Sequence, residues 1–116
     1  MTISPKSGEI WLVKFPFSDL TSAKLRPALI LATHREEVII LGIFSKIPVE
    51  NLRNSWVLIK DSDPQFPQTG LKKTSLIRAD KIATVSKLVF QRKLGYLSKE
   101  FLFKVQKALK EALNIT

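Results

Sequence analysis

Val38-Ile39-Ile40-Leu41-Gly42-Ile43-Phe44 is a run of branched and aromatic residues interrupted by a single glycine, and its reading decides the fold. A strand with one face in water alternates apolar and polar residues. This run does not alternate, so both of its faces are expected to be covered, as in a closed or sandwiched sheet. Gly42 within it marks a bend or bulge. Working outward, Pro27-Ala28-Leu29-Ile30-Leu31-Ala32 has the same character. Ile10-Trp11-Leu12-Val13-Lys14-Phe15 reads as a first strand that Pro16 should stop. Trp56-Val57-Leu58-Ile59 is a further strand, and Ser75 to Val85 a strand followed by a bend and more extended chain.

The connections carry the polar residues. Phe17 to Leu25 lacks periodicity and reads as an exposed loop, with Arg26 where it enters the next strand; Asp61 to Gly70, with Pro64 and Pro67, is a second long loop. At the C-terminal end, Phe101, Leu102, Val105, Ala108, Leu109, Ala112 and Leu113 recur at helical spacing behind Ser98 as N-cap, with Lys104, Lys107 and Lys110 on the opposite side. That apolar stripe is expected to close over a sheet. The fold class predicted is mainly β with α: a small antiparallel barrel or strongly curled sheet with a C-terminal helix, forming one domain over residues 1–116.

Composition narrows the chemistry. The chain has no cysteine and one histidine, which excludes a thiolate nucleophile, a thiolate zinc site and a pair of histidines acting as acid and base. His34, between two strands, reads as a solvated turn residue, and Asp61, Asp63 and Asp80 do not form the clustered carboxylates of a two-metal nuclease. Neither a cofactor nor a metal is expected. Met1 to Gly8 lacks the apolar core of a signal peptide, and no apolar run reaches the length of a membrane span, so a cytoplasmic protein is expected. Nineteen Lys and Arg against ten Asp and Glu give a formal charge of +9, which favours phosphate backbones or acidic proteins as partners.

Several cations are placed to form one groove if the two long loops share a side of the sheet: Lys24 and Arg26 around the first, and Lys72, Lys73 and Arg78 after the second. A solvated charged face is the alternative for such a run. Phe17 in the first loop offers a stacking surface for a base.

The order Gly8-Glu9-Ile10-Trp11, a polar loop, Arg26-Pro27-Ala28-Leu29-Ile30-Leu31, then Gly70-Leu71-Lys72-Lys73-Thr74-Ser75 running into Asp80-Lys81-Ile82-Ala83-Thr84-Val85, resembles the MazF/PemK family of toxins over nearly the whole chain. The resemblance implies an SH3-like barrel of the MazF/PemK/CcdB type with an added C-terminal helix, usually as a homodimer. It implies cleavage of single-stranded RNA, mRNA included, at short sequence motifs without a metal, and an acidic antitoxin whose tail blocks the RNA groove.

In that family an arginine at the Arg26 position works with a threonine or serine at the end of the third strand, and the matching residue is Ser45. Arginine suits the role because its planar fork of donors stays charged and binds phosphate oxygens in pairs. For Arg26 the competing reading is a surface pair with Asp19 or Glu37, and for Ser45 a turn cap before Lys46 and Pro48. Lys81 stands where the family often has glutamine, a point charge in place of an amide. Taken together, the RNA contacts expected are Lys24, Phe17, Lys46, Lys72, Lys73, Arg78 and Lys81. A barrel that binds nucleic acid or protein with little or no catalysis, including a gyrase poison, is the other function this resemblance allows.

Overall fold

The computed structural model describes residues 4–14, 24–48 and 52–116. Six strands, β1 (Glu9–Lys14), β2 (Leu25–His34), β3 (Glu37–Phe44), β4 (Trp56–Ile59), β5 (Ser75–Ser86) and β6 (Phe90–Tyr96), precede the helix α1 (Lys99–Leu113). The strands form one sheet in the order β4-β5-β3-β2-β1-β6, every neighbouring pair antiparallel. The fold class is as the sequence predicts, mainly β with a C-terminal helix.

The unbroken apolar character of β3 follows from its having a core on each side. Leu41 and Ile43 enter a cluster with Ile10, Leu29, Ile77 and Ala79, closed by Phe101, Val105 and Ala108 of α1. Val38 and Ile40 point the other way, into a cluster of Trp11, Val13, Ala28, Ile30, Val85 and Phe90. There the Trp11 and Phe90 rings meet edge to face at 5.8 Å. Burying each Ile or Leu of these clusters contributes about 1.5–3 kcal/mol.

Only a strongly bent sheet can cover both of its own faces, and the bend has a local cause. The register of β3 against β5 jumps from Leu41↔Ile82 to Gly42↔Arg78, leaving Ala79, Asp80 and Lys81 as extra residues on β5. This is the irregularity expected at Gly42: the strand that bulges is β5, and the glycine sits opposite it. Within the extra segment the Ala79 amide donates to the Ser55 carbonyl, which ties the bulge to the start of β4.

The hydrogen-bonded ladder is open between β4 and β6, the two edge strands. A 3-10 turn at Pro67–Thr69 lies against β6 on this side. Backbone meets backbone there. A Cβ on Gly95 would stand 2.2 Å from the Gln68 carbonyl oxygen, and one on Gly70 2.0 Å from that of Leu94. Gly70 also has φ +73°, in the left-handed region that favours glycine. The loop packs on the free edge of β6, and the sheet is strongly curled but not closed into a barrel by strand pairing.

Helix α1 begins as the sequence indicates, with the Ser98 hydroxyl accepting from the Phe101 amide at 3.3 Å. It ends at Asn114, which takes a left-handed conformation while the Ile115 amide donates to the Lys110 carbonyl. Strand β6 has no counterpart in the sequence reading. Gln91-Arg92-Lys93 is polar throughout and exposed, and its extended form comes from pairing with β1. The Glu9 carboxylate reinforces that pairing: it accepts from the Trp11 indole at 2.9 Å and the Lys6 amide at 2.8 Å, and it pairs with Lys93 of β6 at 2.9 Å. Burial pushes the Glu9 carboxyl up, but these donors together outweigh it and hold the group below its ordinary range.

Two outcomes are expected. Gly95→Ala should lower stability by roughly 2–3 kcal/mol or abolish soluble expression, because the methyl group meets a carbonyl rather than a movable side chain; the midpoint of urea unfolding measures it. For Glu9, a lowered folded pKa means that its stabilisation is complete above the unfolded value and is lost as pH falls through the folded one. Glu9→Gln should therefore show a smaller loss of stability than wild type between about pH 5 and pH 3.

Candidate active site

Where β2 begins and β3 ends, the sheet and the 3-10 loop enclose a cleft of about 390 Å³. Its floor is apolar: Leu12 from β1, Ile43 from β3, Leu71 from the loop and Leu94 from β6. Its polar lining consists of Arg26, Lys72, Lys73 and Arg92 with the hydroxyls of Ser45 and Ser75. Among the described residues no carboxylate lines it. A pocket of fixed cations and hydroxyls over an apolar floor attracts an anion.

Each polar residue reaches the cleft from a different part of the fold. Arg26 is the second residue of β2, and Pro27 after it has no amide to lose from the ladder. Ser45 is the first residue beyond β3 and is exposed. Lys72 and Lys73 follow Gly70, whose left-handed turn carries them over the cleft. The Ser75 hydroxyl is buried and donates to the Lys73 carbonyl at 2.8 Å, fixing the end of that segment. Arg92 extends from β6, in register with Leu12.

Of the residues selected from the sequence, Arg26, Ser45, Lys72 and Lys73 share this cleft. Lys24 and Lys46 are exposed neighbours of lining residues and do not themselves line it. Lys81 belongs to the bulge in β5, away from the lining. Phe17 and Asp19 lie outside the described residues. Glu37 is ruled out as a partner of Arg26, since it pairs with His34 at the opposite end of β2. Arg92 and Ser75 were not singled out in the sequence. Arg92 sits in a polar run whose strand pairing is with a segment some eighty residues earlier, and only that pairing brings it to the site.

Arg78 stands beside the cleft rather than in it, and a row of rings links it to Arg26. The guanidinium of Arg26 lies 5.5 Å from the centre of the Phe44 ring, and that of Arg78 lies 5.8 Å from it. Arg78 is also 4.7 Å from the Trp56 ring, which Arg53 approaches at 5.6 Å. Arginine and aromatic residues therefore alternate across β2, β3, β5 and β4, adjacent strands in the sheet.

Asp80 anchors the middle of this row. Its carboxylate accepts from Arg78 Nη2 at 2.7 Å and Nε at 3.2 Å, and from the Trp56 indole at 2.9 Å. Burial raises the Asp80 pKa, but the bonds and charge of Arg78, with the indole donor, prevail and hold it below the usual carboxylate range. Asp80 is ionised at neutral pH and holds Arg78 in a fixed orientation.

Among the described residues no helix is long and apolar enough to cross a membrane. The fold is similar to that of an endoribonuclease solved in complex with its cognate antitoxin from a mycobacterial species. That chain is 20% identical, and the match covers 97% of this chain and 98% of that one with a TM-score of 0.74. The Mycobacterium tuberculosis toxin MazF-mt6 aligns at a TM-score of 0.72 with 18% identity, over 93% and 98% of the two chains. MazF from Deinococcus radiodurans aligns at 0.70 with 17% identity, over 97% and 99%. No curated protein gives a significant sequence match. The family model for the PemK-like, MazF-like toxins of type II toxin-antitoxin systems matches residues 6–113, and the chain belongs to that family.

Proposed function

We propose that the protein is a toxin acting as a metal-independent, sequence-specific endoribonuclease on single-stranded RNA, with Arg26 and Ser45 as its catalytic residues. The observation that carries this reading is the cleft itself, which gathers Arg26 and Ser45 with Lys72, Lys73 and Arg92 and, among the described residues, is lined by no carboxylate. The nucleophile is the substrate's own 2′-hydroxyl. Its oxygen loses its proton to solvent and bonds to the adjacent phosphorus as the bond from phosphorus to the 5′-oxygen breaks, and that oxygen takes a proton from solvent. The products are a 2′,3′-cyclic phosphate and a 5′-hydroxyl.

Negative charge accumulates on the non-bridging oxygens along this path, and Arg26 supplies the donors that stabilise it. The Ser45 hydroxyl adds a neutral donor that can turn to follow the changing geometry. Lys72, Lys73 and Arg92 hold the flanking phosphates, and Lys24 and Lys46 extend the field at the mouth. The mycobacterial neighbour was solved with an antitoxin, and an acidic antitoxin tail fits the same cationic surface here. Action in the cytoplasm as a homodimer, from one domain spanning the chain, completes the reading.

The test is incubation of the purified protein with a long unstructured RNA in excess EDTA. Cleavage is expected, with 2′,3′-cyclic phosphate ends. Removing one preorganised donor of this kind costs about 10²–10³ in rate, so Arg26→Ala should fall by that much and Ser45→Ala by less. Arg26→Lys should recover little, since it restores the charge but not the planar fork. Cleavage that stops with EDTA, or is unchanged in Arg26→Ala, overturns the assignment.

A further inference from the structure

We propose that the groove between β4 and α1 is a second anion-binding segment of the RNA track, which holds the strand flanking the cleaved position. The proposal rests on the reading of the cleft as an RNA-cleaving site and extends the path from there. The groove measures about 780 Å³. Trp56, Val57 and Leu58 all line it. Consecutive residues of a strand face opposite ways, so a groove that touches all three follows the outer edge of β4.

Charge is concentrated along this edge. Arg53, Lys104, Lys107 and Lys110 line the groove against the one carboxylate of Glu111. The two lysines at its centre lie over aromatic rings of their own helix, Lys104 over Phe101 and Lys107 over Phe103, each at 5.0 Å. Long flexible side chains held in this way lose less freedom when they bind. Arg53 and Trp56 belong both to this groove and to the arginine-aromatic row that starts at Arg26. The row on one face of the sheet and the lysines of α1 on the other thus meet at Arg53 and Trp56, on the free edge of β4. Fixed guanidiniums and ammoniums along one path match a phosphate backbone.

Two other occupants fit less well. A second copy of this chain across a two-fold axis would bring these cations against their own equivalents. An acidic peptide adding to the sheet would find in β4 an edge of only four residues.

The experiment measures binding of fluorescein-labelled 2′-O-methyl RNAs, which resist cleavage, by fluorescence anisotropy at several salt concentrations. One oligonucleotide has about 4 nucleotides, enough for the cleft, and the other about 14, within the range of site sizes for single-strand binding surfaces. Wild type should bind the longer strand at least tenfold more tightly. The double variant K104Q/K107Q keeps helix propensity and leaves the core of α1 intact. For the longer strand it should weaken binding roughly fivefold or more and reduce the salt slope by about 1.4, for two lost phosphate contacts on a single strand. The short strand is the internal reference and should be bound alike by both proteins.

Equal affinity of wild type for the two lengths, or an equal loss for both in the variant, overturns the proposal. A change in sedimentation of the RNA-free variant overturns it in favour of an interface between copies. Weaker binding of a polyglutamate peptide to K104Q/K107Q, with binding of the longer RNA unchanged, overturns it in favour of an acidic protein. Failure of the cleft reading is separate: wild type would then leave a cleavable RNA intact in EDTA, whatever the dependence of binding on length.

Discussion

A methyl group on Gly70 or Gly95 would put carbon within about 2 Å of a carbonyl oxygen, and the tolerance for backbone against backbone at this point organises the rest of the molecule. Strands β4 and β6 are the two edges of the sheet and do not pair. The loop around Pro67–Thr69 packs on β6, and it can do so only because neither segment carries a side chain where they touch. Lys72 and Lys73 follow directly and are set over the same cleft as Arg26 and Arg92. Gathering four cations is unfavourable in itself. The apolar contacts of Leu71 and Leu94 with the core beneath oppose that repulsion.

The second constraint is the bulge of β5. By inserting Ala79, Asp80 and Lys81 opposite Leu41 and Gly42, it bends the sheet far enough to give β3 a core on each face. It also returns the Asp80 carboxylate to Arg78 and the Trp56 indole. The same irregularity that shapes the core thus orients a guanidinium on the surface. An isolated surface ion pair between Arg78 and Asp80 would contribute little to stability. Flanked by Phe44 and Trp56, it acts instead to fix the direction in which Arg78 presents its remaining donors.

Local pattern carries much of this information. The apolar runs of β1, β2 and β3 and the capped stripe of α1 were legible because each is a property of consecutive residues. Arg26 and Ser45 were legible through the order of motifs, which also placed Lys72 and Lys73 after Gly70. What remained hidden depends on register between distant segments. Strand β6 is polar and extended only because β1 is its neighbour, so Arg92 carried no local signal. Gly95 gives no hint in the sequence that its partner is the Gln68 carbonyl. Asp80 read as a lone carboxylate because its link to Trp56 spans twenty-four positions. Lys81 was drawn in by its place in a motif, whereas the bulge carries it away from the cleft.

Among the described residues the cleft is lined by guanidinium, ammonium and hydroxyl groups, with donors in abundance and no carboxylate to accept a proton. On the proposed reaction this composition favours stabilisation of charge over proton abstraction, and the rate then depends on how well the 2′-oxygen is aligned with the breaking bond. Alignment in a flexible single strand requires that the chain be held on both sides of the scissile phosphate. Contacts at the cleft alone cannot restrict the strand beyond it, whereas contacts along the row from Phe44 to Trp56 can. Binding energy gathered far from the reacting phosphorus is in this way converted into geometry at it. On the proposed reading the arginine-aromatic row thus serves the orientation of the phosphate at Arg26, even though among the described residues only Arg26 of that row lines the cleft.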